Sequence, residues 1–142
     1  MILQNDFYAI ASSSIEEGVH TYSIHLNPLH HIFDGHFPGN PVTPGVVQME
    51  IIKELLSTSL EKPMSLDTMG TCKFLAILNP TETPDVVVTL SVSIDDEGNT
   101  KVTASIVGAS TPLSPQNSTT LSQQYETSEP ISFFKMNAVY KG

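Results

Sequence analysis

His36 and Glu50 are the two side chains whose types and surroundings best suit acid/base chemistry. Glu50 lies in a mostly apolar stretch that predicts a helix, where a carboxylate is energetically costly unless it has a partner or a function. Burial in such a helix favours the protonated form, which is the form a general acid needs. A neutral imidazole, such as that of His36, is suited to take up a proton. The pair therefore predicts a general base and a general acid.

The backbone at the start of the same helix offers a third chemical group. The N–H groups of Gly45 and Val46 lie in the first helical turn, where they have no partner within the helix. They can hold an oxygen on which negative charge develops, and glycine at position 45 lets a ligand approach closely. Together with His36 and Glu50, these donors indicate proton removal next to a carbonyl, with loss of a group from the next carbon.

The segments around these residues predict how they are positioned. Residues 29–45 contain three glycines and three prolines, a density that excludes a helix or a central strand and predicts a rigid loop. Thr43 is expected to be the N-cap of the following helix, and Pro44 its first residue. Because apolar residues cover most of its circumference, we expect this helix to be buried, with Lys53 and Glu54 on its exposed side.

The rest of the chain is rich in predicted strands. The strand candidates are Phe7–Ala11, Val19–Leu26, Met69–Leu78, Asp85–Ile94, Lys101–Val107 and Ile131–Tyr140. One buried helix with about six strands predicts an α+β fold in which an antiparallel sheet wraps around the helix. We expect residues 1–142 to form a single domain. Residues 108–130, rich in Ser, Thr and Pro, predict a long loop inserted in it.

The composition excludes several classes of function. The chain has 142 residues and a formal net charge of -9, with six lysines and no arginine, so it lacks the basic surface that nucleic acids or anionic membranes require.

We find no secretory signal and no apolar run long enough to span a bilayer. Cys72 is the single cysteine and is expected in the core rather than as a nucleophile. These features predict a cytoplasmic location. The histidines match no familiar zinc spacing.

The segment from Phe33 to Glu50 follows the pattern FxGHFPGxPVxPGVxxxE. This pattern resembles that of the 3-hydroxyacyl-[acyl-carrier-protein] dehydratases of bacterial type II fatty acid synthesis. The resemblance is strong over residues 27–56 and looser but collinear over the later strands, for example at CKFLAILNP. Many fixed positions at fixed spacing make chance similarity improbable.

The resemblance implies a hotdog fold and a dehydratase that needs no metal or redox cofactor. His36 matches the family's catalytic histidine, Glu50 its catalytic carboxylate, and Gly45 the N–H that binds the thioester carbonyl. The family pairs as dimers, often assembled into hexamers, and each active site takes its histidine and its carboxylate from different subunits. A glutamate at position 50, where a related dehydratase/isomerase branch carries aspartate, favours dehydration without isomerisation.

Two features of the chain depart from the family. Family members usually present a basic patch to an acidic carrier protein, whereas this chain is acidic, so its carrier is either an acyl carrier protein or CoA. Lys73, Lys135 and Lys141 are expected to form a local patch near the mouth of the site. The insertion at 108–130 exceeds the short hairpin expected there. Two alternatives therefore stay open, a hotdog acyl thioesterase and a non-catalytic acyl-binding or assembly subunit.

Overall fold

The computed structural model describes residues 3–30, 42–109 and 131–142. Within these residues the chain forms six strands and one helix. In chain order they are β1 (Tyr8–Glu16), β2 (Val19–Leu26), α1 (Gly45–Leu60), β3 (Ser65–Phe74), β4 (Asp85–Ile94), β5 (Thr100–Gly108) and β6 (Ser132–Lys141). The predicted insertion at 108–130 lies almost wholly outside the described residues, so it stays a prediction.

All six strands belong to one antiparallel sheet with the order β1-β2-β4-β5-β6-β3. The helix packs on one face of this sheet, and its buried residues join those of the strands in a single hydrophobic core. The buried helix positions are Val47, Gln48, Ile51, Ile52, Leu55 and Leu56. The predicted architecture, an antiparallel sheet of about six strands with one helix, is confirmed.

The start of α1 differs from the prediction. Pro44 is the N-cap, with an extended backbone (φ -61, ψ 150), and no side chain caps the helix. Thr43 is buried with its Oγ1 atom lacking a hydrogen bond, while its N–H donates to the carbonyl of Leu78 at 2.9 Å. The prediction of Thr43 as N-cap was therefore wrong, because this residue is held by the loop after β3 instead of turning back on the helix.

Two strands differ from their predicted limits by more than one residue. β1 continues from Tyr8 to Glu16 because its Ser-rich half pairs with β2 in a hairpin that the sequence alone did not indicate. β3 runs from Ser65 to Phe74 rather than from Met69 to Leu78. Within the described ranges it lies at an edge of the sheet and pairs with β6 alone, so its limits follow from that register and not from an alternation of buried residues.

Candidate active site

α1 carries three of the four predicted site residues within its first turns. Val47 and Gln48 donate their N–H groups to the carbonyl of Pro44 at 3.1 and 3.2 Å. In the part of the chain that the structure describes, the N–H groups of Gly45 and Val46 have no hydrogen-bond acceptor. A helix start with free donors favours an oxygen that carries negative charge. The position of these two N–H groups therefore suits the role predicted for them.

The ring of Phe74 lies directly against Gly45. A Cβ atom at position 45 would be 2.5 Å from Cζ and 2.6 Å from Cε1 of Phe74. Phe74 is 55% exposed, and its ring packs edge-on against that of the buried Phe134, with the ring centroids 5.1 Å apart. The structure thus gives a reason for glycine here that is separate from the predicted ligand approach, since β3 brings an aromatic side chain onto the helix start.

Glu50 lies on the side of α1 that is turned partly away from the core. Its side chain is 20% exposed, and its Oε2 atom is buried without a hydrogen bond to any residue that the structure describes. The ammonium group of Lys53 lies 3.4 Å from this oxygen, which is close enough for Coulombic attraction, although the contact does not have hydrogen-bond geometry. A half-buried carboxylate with an unsatisfied oxygen has the capacity to exchange a proton with a ligand.

Glu54, one turn further along α1, has a structural role that the sequence did not indicate. Its carboxylate accepts hydrogen bonds from the N–H groups of Leu3 (2.8 Å) and Gln4 (3.0 Å) and from the hydroxyl of Tyr8 (3.1 Å). Burial, then the charge of Glu54, raises the pKa of Tyr8 well above its usual range. The prediction that Glu54 is exposed was wrong, because the N-terminal segment covers it.

His36 lies outside the described residues, so its distance from Glu50 remains a matter of prediction. Three other histidines are described. His20 is buried, His25 pairs with Asp85 at 2.8 Å, and His30 pairs with Asp6 at 3.0 Å. Across residues 3–30, 42–109 and 131–142, no group of three or more His, Cys, Asp or Glu side chains is placed to hold a metal ion.

Cys72 lies on β3 and packs against the edge of the core. Burial raises the pKa of its thiol, which disfavours the thiolate that a nucleophile requires. Its position therefore agrees with the structural role expected for it.

Two further residues near Glu50 had no role at the site predicted from the sequence. Tyr140 and Lys53 line a cavity beside the Glu50 carboxylate. Lys53 stands three positions after Glu50, a spacing at which helical side chains are neighbours, so its contact was detectable from the sequence. Tyr140 carried no such signal, because it reaches the helix only through the register of β6.

Comparison with known proteins identifies the chain's relatives. The family model described as "ApeI-like: ApeI dehydratase" matches residues 12–111, which is more than half of the chain. The 3-hydroxyacyl-[acyl-carrier-protein] dehydratase FabZ of Caulobacter vibrioides is 38% identical over 61 residues, which cover 39% of this chain and 38% of that protein. FabZ of Latilactobacillus sakei is 32% identical over 87 residues, covering 54% of this chain and 60% of the relative. These matches span less than two thirds of either relative.

Solved structures extend the similarity to nearly the whole chain. A chain of the dehydratase heterocomplex ApeI:P from Xenorhabdus doucetiae superposes with a TM-score of 0.58 at 15% identity, covering 94% of this chain and 97% of that one. An uncharacterized protein from Erwinia carotovora subsp. atroseptica gives 0.61 at 15% identity, with 94% and 92% covered. The predicted hotdog fold is confirmed.

In the described ranges, no helix is long and apolar enough to cross a membrane.

Proposed function

The chain belongs to the ApeI-like dehydratase family, and on that premise we propose that it removes water from a 3-hydroxyacyl thioester in the cytoplasm, as a step of fatty acid or related acyl-chain biosynthesis. The product is the trans-2-enoyl thioester. The observation that carries this proposal is the start of α1, where two free N–H donors precede a half-buried carboxylate with an unsatisfied oxygen.

Each group has one task in the proposed reaction. His36 removes the proton from C2 of the substrate. The N–H groups of Gly45 and Val46 donate hydrogen bonds to the thioester carbonyl oxygen as negative charge develops on it. Glu50 gives its proton to the departing 3-hydroxyl group, so that water leaves and the C2–C3 double bond forms. No metal or redox cofactor takes part.

The proposed enzyme is a homodimer in which His36 of one chain meets Glu50 of the other. Apolar side chains near the site support a partner surface, since Val46 is 75% exposed and both Leu66 and Phe74 are exposed as well. Among the described residues β3 is an edge strand that pairs with β6 alone, a position suited to pairing with a second chain. Assembly of such dimers into hexamers belongs to the same proposal.

The carrier of the acyl group is proposed to be an acyl carrier protein, with CoA as the alternative. Lys73 of β3 lies directly opposite Lys135 of β6, and both are exposed. Lys141 lies further along β6, roughly 20 Å from Lys135 at the usual rise of a strand, and pairs with Asp67 at 3.7 Å. The expected three-lysine patch is therefore reduced to a pair. Because successive side chains of a strand alternate between faces and the neighbouring Phe74 contacts α1, the pair and the docking surface it supports lie on the opposite face of the sheet.

The test is turnover of 3-hydroxyacyl thioesters linked to acyl carrier protein or CoA, followed by the absorbance of the enoyl product. His36→Ala and Glu50→Gln are each expected to lower kcat by at least about 100-fold, with the oligomer still folded. A thiol-reactive dye detects the free thiol that a thioesterase would release. Retained acyl binding without turnover would support an acyl-binding subunit. Wild-type protein that turns over no chain length on either carrier contradicts the proposal.

A further inference from the structure

A cavity of about 220 Å³ lies between α1 and the β3–β6 pair. Three of its lining residues are polar or charged and three are apolar. They are Glu50, Lys53, Tyr140, Val46, Met49 and Leu66. The cavity is thus bounded by one carboxylate, one ammonium group and one phenol, and it opens beside the residue proposed as general acid.

The Glu50 carboxylate faces this cavity incompletely satisfied. Its Oε2 atom is buried and accepts no hydrogen bond in the described part of the chain. Leaving such a buried acceptor without a donor is energetically unfavourable. Lys53, whose Nζ lies 3.4 Å away, compensates part of this cost by its charge, but it supplies no aligned N–H group. A donor on the opposite wall of the cavity would complete the environment of the carboxylate.

Tyr140 stands on that opposite wall. It is 2% exposed and lies across from Leu66 in the β3–β6 ladder. Its hydroxyl makes no hydrogen bond with another residue in the three described ranges, although it lines the cavity. Burial, then the negative charge of Glu50, raises the pKa of Tyr140 to about 12. The phenol therefore keeps its proton at neutral pH and is available as a donor.

We infer that Lys53 and Tyr140 are positioning residues that act through Glu50. Lys53 provides the counter-charge of the carboxylate, and Tyr140 donates a hydrogen bond to it across the cavity through one water. Together they determine the pH range in which Glu50 holds the proton that it gives to the leaving hydroxyl. This inference rests on the proposed function, because only there does Glu50 act as an acid.

Other titratable groups also face Glu50 and its partners, and they must be counted. They are Glu54 and Lys53 on α1, Tyr8 on β1, Tyr140 on β6 and, next to Tyr140, Cys72 on β3. Lys53 is the one cation in this set. Glu54 is held by the N-terminal backbone and Tyr8, and substitutions at Lys53, Tyr140 or Lys62 leave these contacts in place.

The pH dependence of kcat tests the inference. A nearby positive charge favours the ionised carboxylate, and its removal favours the acid form that protonates the leaving group. Lys53→Met is therefore expected to move the alkaline limb of the profile upward by about 0.2–0.7 pH units, the shift that corresponds to a partly exposed ion pair. Tyr140→Phe moves the limb in the same direction, since it removes a donor that favours the carboxylate. Lys53→Arg keeps the wild-type limb.

Lys62→Met is the matched control, because Lys62 is exposed beyond the end of α1 and does not line the cavity. Its profile should coincide with that of the wild type. Thermal unfolding of each variant separates a change in the limb from a loss of folded protein. Lys53→Met and Tyr140→Phe limbs within about 0.1 pH unit of the wild type, in folded variants, overturn the inference.

NMR titration of ¹³C-labelled glutamate side chains provides a readout that needs no turnover. Glu50→Gln identifies the Glu50 signal, and Lys53→Met should raise its titration midpoint by the same shift as the kinetic limb. If the midpoint moves but no thioester is dehydrated, the contacts of Lys53 and Tyr140 with Glu50 stand, whereas the proposed function fails and with it the role of Glu50 as the acid. If turnover is present and neither midpoint nor limb moves, the proposed function holds and the inference fails.

Discussion

Gly45→Ala is a perturbation whose consequences follow directly from the contact with Phe74. The new methyl carbon would lie 2.5 and 2.6 Å from two ring carbons, whereas carbon atoms in contact are separated by about 3.5–4.0 Å. The ring must therefore withdraw by about 1 Å. Because Phe74 packs edge-on against the fully buried Phe134, this withdrawal weakens an aromatic pair worth about 0.5–1.5 kcal/mol.

The helix itself prefers the substitution. Alanine is more favourable than glycine within a helix by about 0.5–1 kcal/mol, so the net effect of Gly45→Ala alone is expected to lie between about 0.5 kcal/mol of stabilisation and about 1 kcal/mol of destabilisation. In a Phe74→Ala background the clash is gone, and the same substitution should stabilise by about 0.5–1 kcal/mol. The two changes are therefore coupled by about 0.5–1.5 kcal/mol, which urea unfolding of the four proteins measures. Coupling below about 0.3 kcal/mol would refute the contact.

Activity separates the two reasons for glycine at position 45. If the ring is the sole constraint, Gly45→Ala/Phe74→Ala recovers kcat/KM relative to Gly45→Ala. If the methyl group also obstructs the thioester carbonyl, the double variant regains stability but stays inactive. The second outcome is expected, because the N–H of Gly45 is proposed to touch the substrate.

Two other predictions concern stability. Burial, then the charge of Glu50, raises the pKa of Tyr140 from 10.0 to about 12. Tyr140 therefore ionises first in the unfolded state, and the free energy of unfolding falls between these pH values by about 1.4 kcal/mol per pH unit. The urea midpoint should fall less steeply across this window in Tyr140→Phe than in the wild type, and equal slopes would contradict the assignment. Glu54→Gln leaves one side-chain oxygen for the three donors that now share two, so it should destabilise the fold by about 1–3 kcal/mol. Glu61 is exposed, and Glu61→Gln should change the stability by no more than about 0.5 kcal/mol. Similar urea midpoints for the two variants would contradict the structural role of Glu54.

The elements that have strong apolar patterns were predicted correctly from the sequence. Predictions failed where the limits of a strand or the burial of a side chain depend on pairing with residues distant in the chain. β2 and β4 have the predicted limits, Val19–Leu26 and Asp85–Ile94, because their alternating residues face the core on one side. The predicted limits of β3 were shifted by four residues, since an edge strand with few buried residues has no such pattern. Glu54 was misjudged for a related reason, because its partners Leu3 and Gln4 are distant in sequence.

The candidate site shows the same division. The type and helical position of Glu50 and the free N–H groups at Gly45 and Val46 follow from local rules for helix starts. Phe74 and Tyr140 could not be predicted, because β3 and β6 bring them to α1 only after the sheet has formed. His36 belongs to the motif that carries the resemblance, and its place relative to Glu50 stays a prediction.

Two influences on the protonation of Glu50 would come from different parts of the proposed dimer, namely side chains of the same chain and burial by the partner chain. Lys53 and Tyr140 belong to the same chain as the carboxylate, so they are expected to influence its protonation whether or not a second chain is bound. The exposed apolar residues Val46 and Leu66 border the same cavity, so a partner chain there would remove water from it and strengthen both electrostatic contacts. In the proposed dimer these two effects oppose each other, because low-dielectric surroundings favour the protonated acid whereas stronger contacts with Lys53 and Tyr140 favour the carboxylate.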